Sequence, residues 1–287
     1  MMIVIGLVVV AGLVFGGYTL SGGHIEPIVK SLPYEMMMVG GASLGAFMAS
    51  NSFGVIRMTG KAILRAFSGP RWKKGDYADL LDLMFELSRL FKASGPTGIE
   101  AHIENPEGSE IFSKYPKILK DHEMLELIVD AFRMVTMQFE DPMHQEDVMN
   151  RKIEAHHSYA NQPIKALTSV ADALPAIGIV AAVLGVIKTM ASVDQPPAVL
   201  GKMIGGALVG TFLGVFLAYC LVQPLAFRIK QIEAQDSAFA TVIRDIIVSL
   251  LHGYSPAASV ETGRSNIPPD MRPSFKETED KQRSLRG

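Results

Sequence analysis

The chain has 287 residues, of which 48% are hydrophobic, and its mean hydropathy is +0.25. This composition excludes an ordinary soluble domain and is typical of a membrane protein with a substantial water-exposed part. The formal net charge of −2 gives no indication of nucleic-acid binding. The single cysteine, Cys220, excludes a disulfide within the chain.

Four charge-free stretches dominate the hydropathy pattern. Three of them reach the ~20 residues that a bilayer crossing requires, and the third along the chain does so if Lys188 lies at the interface and the helix continues to about Val193. No Asp, Glu, Lys, Arg or His lies inside any stretch, so an ion-carrying acid must come from another chain. The stretches are Met1–Gly23, Met36–Ile56, Ala173–Ile187 and Met203–Phe227.

Basic residues predict how the spans are oriented. The segment after the second stretch, Arg57 to Lys74, holds six Lys and Arg before its first acid, whereas the two opposite loops contain only Lys30, Lys188 and Lys202. All but three of the 27 basic residues thus fall on one side, which the positive-inside rule makes cytoplasmic. We expect both termini in the cytoplasm, an external loop at 21–35, and contact of 57–74 with anionic headgroups.

The middle of the chain is predicted to be helical. Apolar residues recur at helical spacing in Asp76–Ala93 and Asp121–Phe139, and Ser94-Gly95-Pro96 ends the first of these helices. Met143–Ala173 is predicted to be a long helix leading into the third span, and Pro163 either kinks it or marks a helix start.

The pattern beyond the fourth stretch predicts a helical extension and then disorder. An apolar stripe from Ile229 to Leu250 indicates that the last helix projects into the cytoplasm and packs against the middle block. Past Gly253 the composition predicts a mostly disordered tail. We therefore predict an all-α membrane protein with four transmembrane helices and a helical cytoplasmic domain between spans 2 and 3. Its parts are a transmembrane hairpin (1–56), the cytoplasmic domain (57–172), a second hairpin (173–227), the extension (228–253) and the tail (254–287).

Small residues recur at a spacing of four within the spans, which lets helix backbones approach closely. These residues serve helix packing either within one subunit or between subunits that surround a helix of another protein. The first span is either a simple membrane anchor or part of such subunit packing. The number of stripes favours assembly. They are Gly206, Gly210 and Gly214; Gly41, Gly45 and Ala49; Gly12 and Gly16; Gly178 with Ala182; and Ala181 with Gly185.

Three further residues in the last two spans have a structural and a functional interpretation. Pro175 and Pro224 mark either helix boundaries or hinges, and antiparallel helices would pair them in a flexible collar at the cytoplasmic end. Thr211 either bonds back to its own helix or lines a wet path. Since no nucleotide-binding loop, metal-ligand cluster or nucleophile triad stands out, we expect no enzyme activity and no cofactor.

Several motifs give the chain a resemblance to a known family. The longest runs from Asp172 to Ala182 and reads DALPAIGIVAA, and a second, Leu208 to Gly214, reads LVGTFLG. Shorter matches are the IENP at 103–106, the LAY at 217–219 followed by Pro224, and the RPSF at 272–275. With these motifs, the chain resembles the MotA family of flagellar stator subunits, within the MotA/TolQ/ExbB proton channel group.

The resemblance implies an ion-driven torque generator of the bacterial inner membrane. It implies a homopentamer around two MotB helices, whose aspartate carries the ion, and torque exerted on the rotor protein FliG. Asp172, Pro175, Ala182, Thr211 and Pro224 would belong to the ion pathway and its conformational coupling. Because sodium-driven relatives carry threonine at the position of Ala182, the transported ion is expected to be the proton.

The resemblance also implies a rotor-contacting surface. The family glutamate maps to Glu100, while the family arginine maps to Lys92, with Arg89 one turn earlier sharing its role. Lysine keeps the charge and loses the planar fork of arginine. An ExbB- or TolQ-type energiser is the alternative, although those relatives typically have three spans. A secondary transporter and a passive scaffold are rivals of other classes, and the absence of charged groups at the midplane argues against the former.

Overall fold

The computed structural model describes residues 2–137 and 141–285. About 85% of the chain is helical, and the described residues contain no strand. The elements in chain order are α1 (Met2–Leu20), α2 (Glu26–Glu35), a first π-helical segment (Met36–Gly40), α3 (Gly41–Ser50), α4 (Phe53–Ser68), α5 (Lys74–Glu104), two 3-10 turns (Pro106–Gly108 and Phe112–Lys114), α6 (Pro116–Leu119), α7 (His122–Thr136), α8 (Pro142–Ala160), α9 (Gln162–Met190), α10 (Pro197–Phe216), a second π-helical segment (Leu217–Val222), α11 (Gln223–Leu251), α12 (Pro256–Asn266) and α13 (Phe275–Ser284).

The helices form two compact units. The first unit comprises Met1–Gly69 and Ala160–Ile232, and the second comprises Pro70–Tyr159 and Glu233–Gly287. The first segment of the second unit, Pro70–Tyr159, lies inside the bounds 57 and 172 predicted for the cytoplasmic domain. The reason at the first boundary is that α4 packs within the first unit, where its Ala66 is buried beside Ile164 and Ala226.

Three helical segments of the described chain are long and apolar enough to cross a membrane. They are α1, a part of the helical run Pro142–Met190, which α8 and α9 form with one residue between them, and a part of the run Pro197–Leu251. The predicted stretch Met36–Ile56 is not among them. The helix there starts earlier and carries Glu26, Lys30 and Glu35 in its first half.

The helix that contains most of the second charge-free stretch begins before that stretch. One helix runs from Glu26 to Ser50 through α2, the first π-helical segment and α3, so the loop predicted at 21–35 is helical from Glu26. Pro27 lies in the first turn, where its missing N–H has no intrahelical acceptor to serve. The helix ends at Asn51, whose backbone is extended, and Ser52 then caps α4 by accepting a hydrogen bond from Val55 N at 3.4 Å.

Prolines near the last two predicted spans have different effects on their helices. Pro163 lies in the first turn of α9, which identifies it as a helix start and not a kink. Pro175 lies 12 residues later, inside the same helix, so it does not begin that helix. Pro224 does not end its helix, because α11 continues through it to Leu251. The second π-helical segment ends two residues before Pro224, and a wider turn there is a usual way to relieve the clash of a proline ring with the carbonyl four residues earlier.

The second unit has a core of large apolar side chains. Phe239 of α11 stacks on Trp72 with ring centroids 4.0 Å apart, and Tyr77 of α5 lies 5.1 Å from the same ring. The stripe of α11 is almost fully buried in this core together with α5 and α7, which confirms the predicted packing of the last helix on the middle block. The buried stripe residues are Val242, Ile243, Ile246, Ile247 and Leu250.

Glycine breaks the helix of the middle block where the turn residues predict it. At Gly95 the backbone has φ 64° and ψ −164°, which separates Lys74–Glu104 into two helical pieces. This left-handed φ is favoured only for glycine. The predicted helix at Asp121–Phe139 is observed as His122–Thr136 with Asp121 as its N-cap, and Phe139 lies outside the described residues.

The predicted disordered tail is wrong for the residues that the structure describes up to 285. Residues 256–266 and 275–284 form α12 and α13, and α12 packs on α5 and buries Val260. The Ser and Pro residues that favour disorder by composition act here as helix starts. Ser255 caps α12, and Ser274 forms a capping box with Glu277.

Candidate functional site

The α9–α10 hairpin is held by contacts between glycine backbones. A Cβ placed on Gly178 would lie 2.8 Å from the carbonyl oxygen of Gly210 and 3.1 Å from the Cα of Gly214. A Cβ on Gly214 would lie 2.6 Å from the carbonyl oxygen of Leu174, and one on Gly185 would lie 2.5 Å from the Cβ of Ala207. No larger residue fits these positions without moving a helix, so these stripes serve packing within the chain.

The glycines predicted in the first two spans behave differently. A Cβ on Gly12, Gly16, Gly41 or Gly45 would meet nothing within 4 Å in the described chain. The structure thus supports packing within one subunit for the α9–α10 stripes only. The α9–α10 stripes are filled by the chain itself, and those of α1 and α3 remain open to another molecule.

The two predicted hinge prolines are not at the same level of the bundle. The contact of Leu174 with Gly214 shows that α9 and α10 are antiparallel and places Pro175 near Gly214. Pro224 lies next to Ala226, which packs with Ile164 at the start of α9. A collar made by the two prolines is therefore wrong, because their helices pass each other about ten residues out of register.

Ala182 and Thr211 lie at a common level of the hairpin. Their sequence neighbours are in contact, since a Cβ on Gly210 would lie 3.1 Å from the Cβ of Ala181. Thr168 and Thr189 donate hydrogen bonds to the carbonyl four residues earlier, whereas the Thr211 hydroxyl has no partner among the described residues. Asp172 is exposed, one turn before Pro175.

The hydropathy pattern did not identify one buried acid of the first unit. Glu35 immediately precedes the second charge-free stretch, and the structure buries its side chain against α10 with 5% relative exposure. Glu35 lies just outside the charge-free stretches, so the expectation that an ion-carrying acid comes from another chain did not take it into account. A carboxylate adjoining a 21-residue apolar run is the signal that would have identified it.

The predicted rotor-contacting residues lie on both sides of the break in α5. Arg89 and Lys92 precede Gly95 and Glu100 follows it, and all three side chains are exposed. Arg89 Nη1 donates to the carbonyl oxygen of Leu285, and Lys92 Nζ donates to that of Gly253 at 3.3 Å. The structure thus places these residues on one helix pair and involves both cations in contacts with the C-terminal segment.

Two buried carboxylates on α5 were not predicted. Glu86 accepts hydrogen bonds from Lys114 Nζ at 2.5 Å and Tyr115 Oη at 2.9 Å, and Asp82 lies 3.7 Å from Lys281 Nζ. Burial raises the pKa of Asp82 to about 6, against the opposing effect of Lys281. Their spacing of four inside the apolar sequence LLDLMFEL is the pattern that marks them. No group of three or more potential metal ligands occurs among the described residues.

Comparisons with known proteins match both parts of the chain. The model "Motility protein A N-terminal" matches residues 4–95, and the model "MotA/TolQ/ExbB proton channel family" matches residues 120–239. The chain is 42% identical to the motility protein A of Salmonella typhimurium over 100% of its length and 96% of that protein. It is 40% identical to that of Escherichia coli over the same shares.

Solved structures share the fold. The MotAB structure of C. jejuni superposes with a TM-score of 0.74 at 18% identity, covering 96% of this chain and 98% of that one. The MotAB stator complex of Bacillus subtilis gives 0.72 at 20% identity, with 95% and 98% covered.

Proposed function

Because the chain belongs to the motility protein A family, we propose that it is a flagellar stator subunit that works with MotB to couple proton flow across the inner membrane to torque on FliG. The observation that carries this proposal is the full-length identity of 42% to a motility protein A. The N-terminal model over residues 4–95 supports the flagellar role over an ExbB- or TolQ-type role, since its description is that of a motility protein.

Four membrane crossings are part of the proposal. Three are the long apolar helices, and the fourth is the continuous helix from Glu26 to Ser50, which has 25 residues. A helix of that length spans about 37 Å, enough for a hydrocarbon core of about 30 Å. With both termini in the cytoplasm, the second unit lies where a rotor is accessible.

Open surfaces of the first unit support assembly around a partner. The glycine faces of α1 and α3 meet nothing within 4 Å, and α9 exposes apolar residues opposite its packed glycines, among them Ile179, Val183 and Ile187. Neighbouring subunits and two MotB helices would cover these faces in the proposed pentamer. Small-residue faces are what close helix association in lipid requires.

The proposed ion route passes the level of Ala182 and Thr211. The methyl group of Ala182 offers no ligand to a dehydrated sodium ion, which favours the proton. The unpartnered Thr211 hydroxyl supports a wet path there. One charge moved through ~100 mV supplies ~2.3 kcal/mol, so each step of the ring must meet little resistance.

Torque would be transmitted by Arg89, Lys92 and Glu100. The break at Gly95 presents the two cations and the acid on separate helical pieces, so each can face a different charge on the rotor. Exposed charges contribute little to folding, so a rotor could replace the backbone contacts that Arg89 and Lys92 make with the C-terminal segment.

Two assays in cells lacking their own stator test the proposal. The chain, expressed with the MotB-like protein of its own cell, should restore swimming and increase proton flux in membrane vesicles, with no requirement for sodium. The charge reversals Lys92→Glu and Glu100→Lys should each reduce torque without lowering proton flux, and Lys120→Glu is a matched control on the same unit. Restored siderophore uptake without motility would contradict the flagellar role.

A further inference from the structure

Glu35 is the one acid that the first unit buries without a partner among the described residues. Its side chain is 5% exposed, and its Oε2 atom accepts no hydrogen bond. The burial arises within a single chain, so a neighbouring subunit has little access to the carboxyl. This position requires a physical explanation, because an ionised carboxylate in an apolar site is unfavourable by several kcal/mol.

A glycine groove on α10 holds the Glu35 side chain. A Cβ on Gly210 would lie 2.5 Å from Glu35 Oε2, and a Cβ on Gly206 would lie 3.0 Å from the Ser31 Oγ. Ser31 and Glu35 are one turn apart on α2, as Gly206 and Gly210 are on α10. The groove thus receives a polar ridge of α2, and its glycines leave space for the carboxyl group.

The elements around Glu35 provide no compensating charge. The only titratable side chain of α10 is Lys202, eight residues or about 12 Å along the helix from Gly210. The adjoining π-helical segment Met36–Gly40 has none, and α9 has none between Asp172 and Lys188. On α2 itself, Lys30 is paired with Glu26 at 2.5 Å.

The ligand that fits this site is a proton. A sodium or other hard cation requires several oxygen ligands, whereas the groove offers a single carboxyl group and the Ser31 hydroxyl. A proton needs only one carboxylate oxygen, and its binding removes the charge that burial disfavours.

We propose that Glu35 is a proton-binding site of the membrane unit, neutral while its carboxyl occupies the groove at Gly210. Release of the proton to water leaves a carboxylate that is unstable in the groove and separates α2 from α10. Gly210 and Ala181, which line the groove, are the sequence neighbours of Thr211 and Ala182. Protonation of Glu35 is thereby coupled to the helix surfaces of the candidate ion path, a consequence that rests on the proposed function.

The protonation state can be measured directly on the full-length chain in lipid nanodiscs. Infrared spectra at neutral pH should contain a carbonyl stretch of a protonated carboxylic acid that disappears in Glu35→Gln. Glu26→Gln is the matched control, since Glu26 lies on the same helix and is exposed and paired. The inference is overturned if Glu35→Gln leaves this band unchanged, because Glu35 would then be ionised.

Proton flux through the assembled complex tests whether exchange at Glu35 matters. Glutamine has the shape of the neutral acid, so Glu35→Gln should fold and assemble, yet lose a proton-transfer step and lower the flux by about tenfold or more. If the Glu35→Gln complex conducts protons as fast as the wild type from about pH 6 to ~8, the proposed exchange of protons at Glu35 is overturned. If the wild-type complex itself conducts no protons, the proposed function fails, and the infrared spectra still decide whether Glu35 is protonated.

Discussion

The two units of this chain pack their helices by opposite means. In the first unit, Gly178, Gly210 and Gly214 bring helix backbones into contact, and large apolar side chains remain on the surface. In the second unit, Phe239, Trp72 and Tyr77 fill a core. The difference follows from the solvent. Burial from water drives the second unit, whereas lipid tails are as apolar as leucine and leave close contact as the main attraction.

Removing a core aromatic should produce the largest loss of stability. Phe239 is fully buried, so Phe239→Ala should lower the free energy of unfolding of the second unit by about 3–5 kcal/mol. Trp72 is the only tryptophan in the chain and stacks on Phe239, so its fluorescence reports urea unfolding of this unit. Phe275→Ala, at a half-exposed site, is the control and should cost far less; an equal loss would contradict the packing described.

Adding one methyl group at a packed glycine should destabilise the first unit, whereas the second unit is destabilised by removing an aromatic ring. Gly178→Ala places its Cβ against the Gly210 carbonyl, and such overpacking should destabilise the hairpin by about 2–3 kcal/mol. Circular dichroism in mixed detergent micelles measures the loss of helix. Gly205→Ala, whose Cβ meets nothing within 4 Å, should leave the hairpin unchanged. If both variants behave alike, close backbone contact does not stabilise this unit.

A buried acid makes the second unit sensitive to pH. The pKa of Asp82 is raised from 3.8 to about 6 on folding, so its ionisation opposes the folded state as the pH rises through 6. The contribution of Asp82 to stability should therefore fall between about pH 4 and 6. Asp82→Asn should be more stable by about 1–2 kcal/mol at pH 7, with the difference vanishing near pH 4.

Trp72 fluorescence in urea at several pH values measures this effect. Asp147→Asn is the control, because Asp147 forms an exposed pair with Arg151 and its loss should matter little at any pH. A stability difference between Asp82→Asn and the wild type that stays constant from pH 4 to 7 would be inconsistent with a buried Asp82.

The smallest effect on the isolated chain is expected at an open glycine. Gly45→Ala should change the unfolding free energy by less than about 0.5 kcal/mol, since nothing lies within 4 Å of its Cβ position. Oligomeric size measured in detergent should nevertheless decrease if α3 packs against another subunit. Unchanged size together with full motility would assign the α3 glycines to lipid contact.

Helical periodicity predicted the parts of the fold where one face of a helix is apolar. The stripe of α11 and the helix around Ile128 were both found, because a repeat near 3.6 residues follows from burial against water. The helix break at Gly95 was predicted correctly because few residues other than glycine adopt its positive φ. The glycine stripes were visible as a spacing, although only the coordinates show which of them the chain fills itself.

Other features depend on contacts that composition does not express. The tail 254–285 has a polar composition, yet Val260 and Ile267 are fully buried and its serines cap two helices. Glu35 borders an apolar run, and a search for charge-free stretches stops at such a residue and therefore does not count it as part of the membrane segment. The register of Pro175 and Pro224 depends on which residues of α9 and α10 are in contact, and spacing along one helix carries no information about that.

The second π-helical segment, Leu217–Val222, has a consequence for how this protein tolerates insertions and deletions. A π-turn holds about one residue more than an α-turn, and one residue corresponds to about 100° of azimuth around the helix axis. Deleting a single residue there would rotate everything downstream, so that Ala226 and Ile229 would turn away from Ile164 and Leu167. The number of residues in this segment therefore determines which face of α11 packs against α9. We expect the segment to tolerate substitutions far better than insertions or deletions.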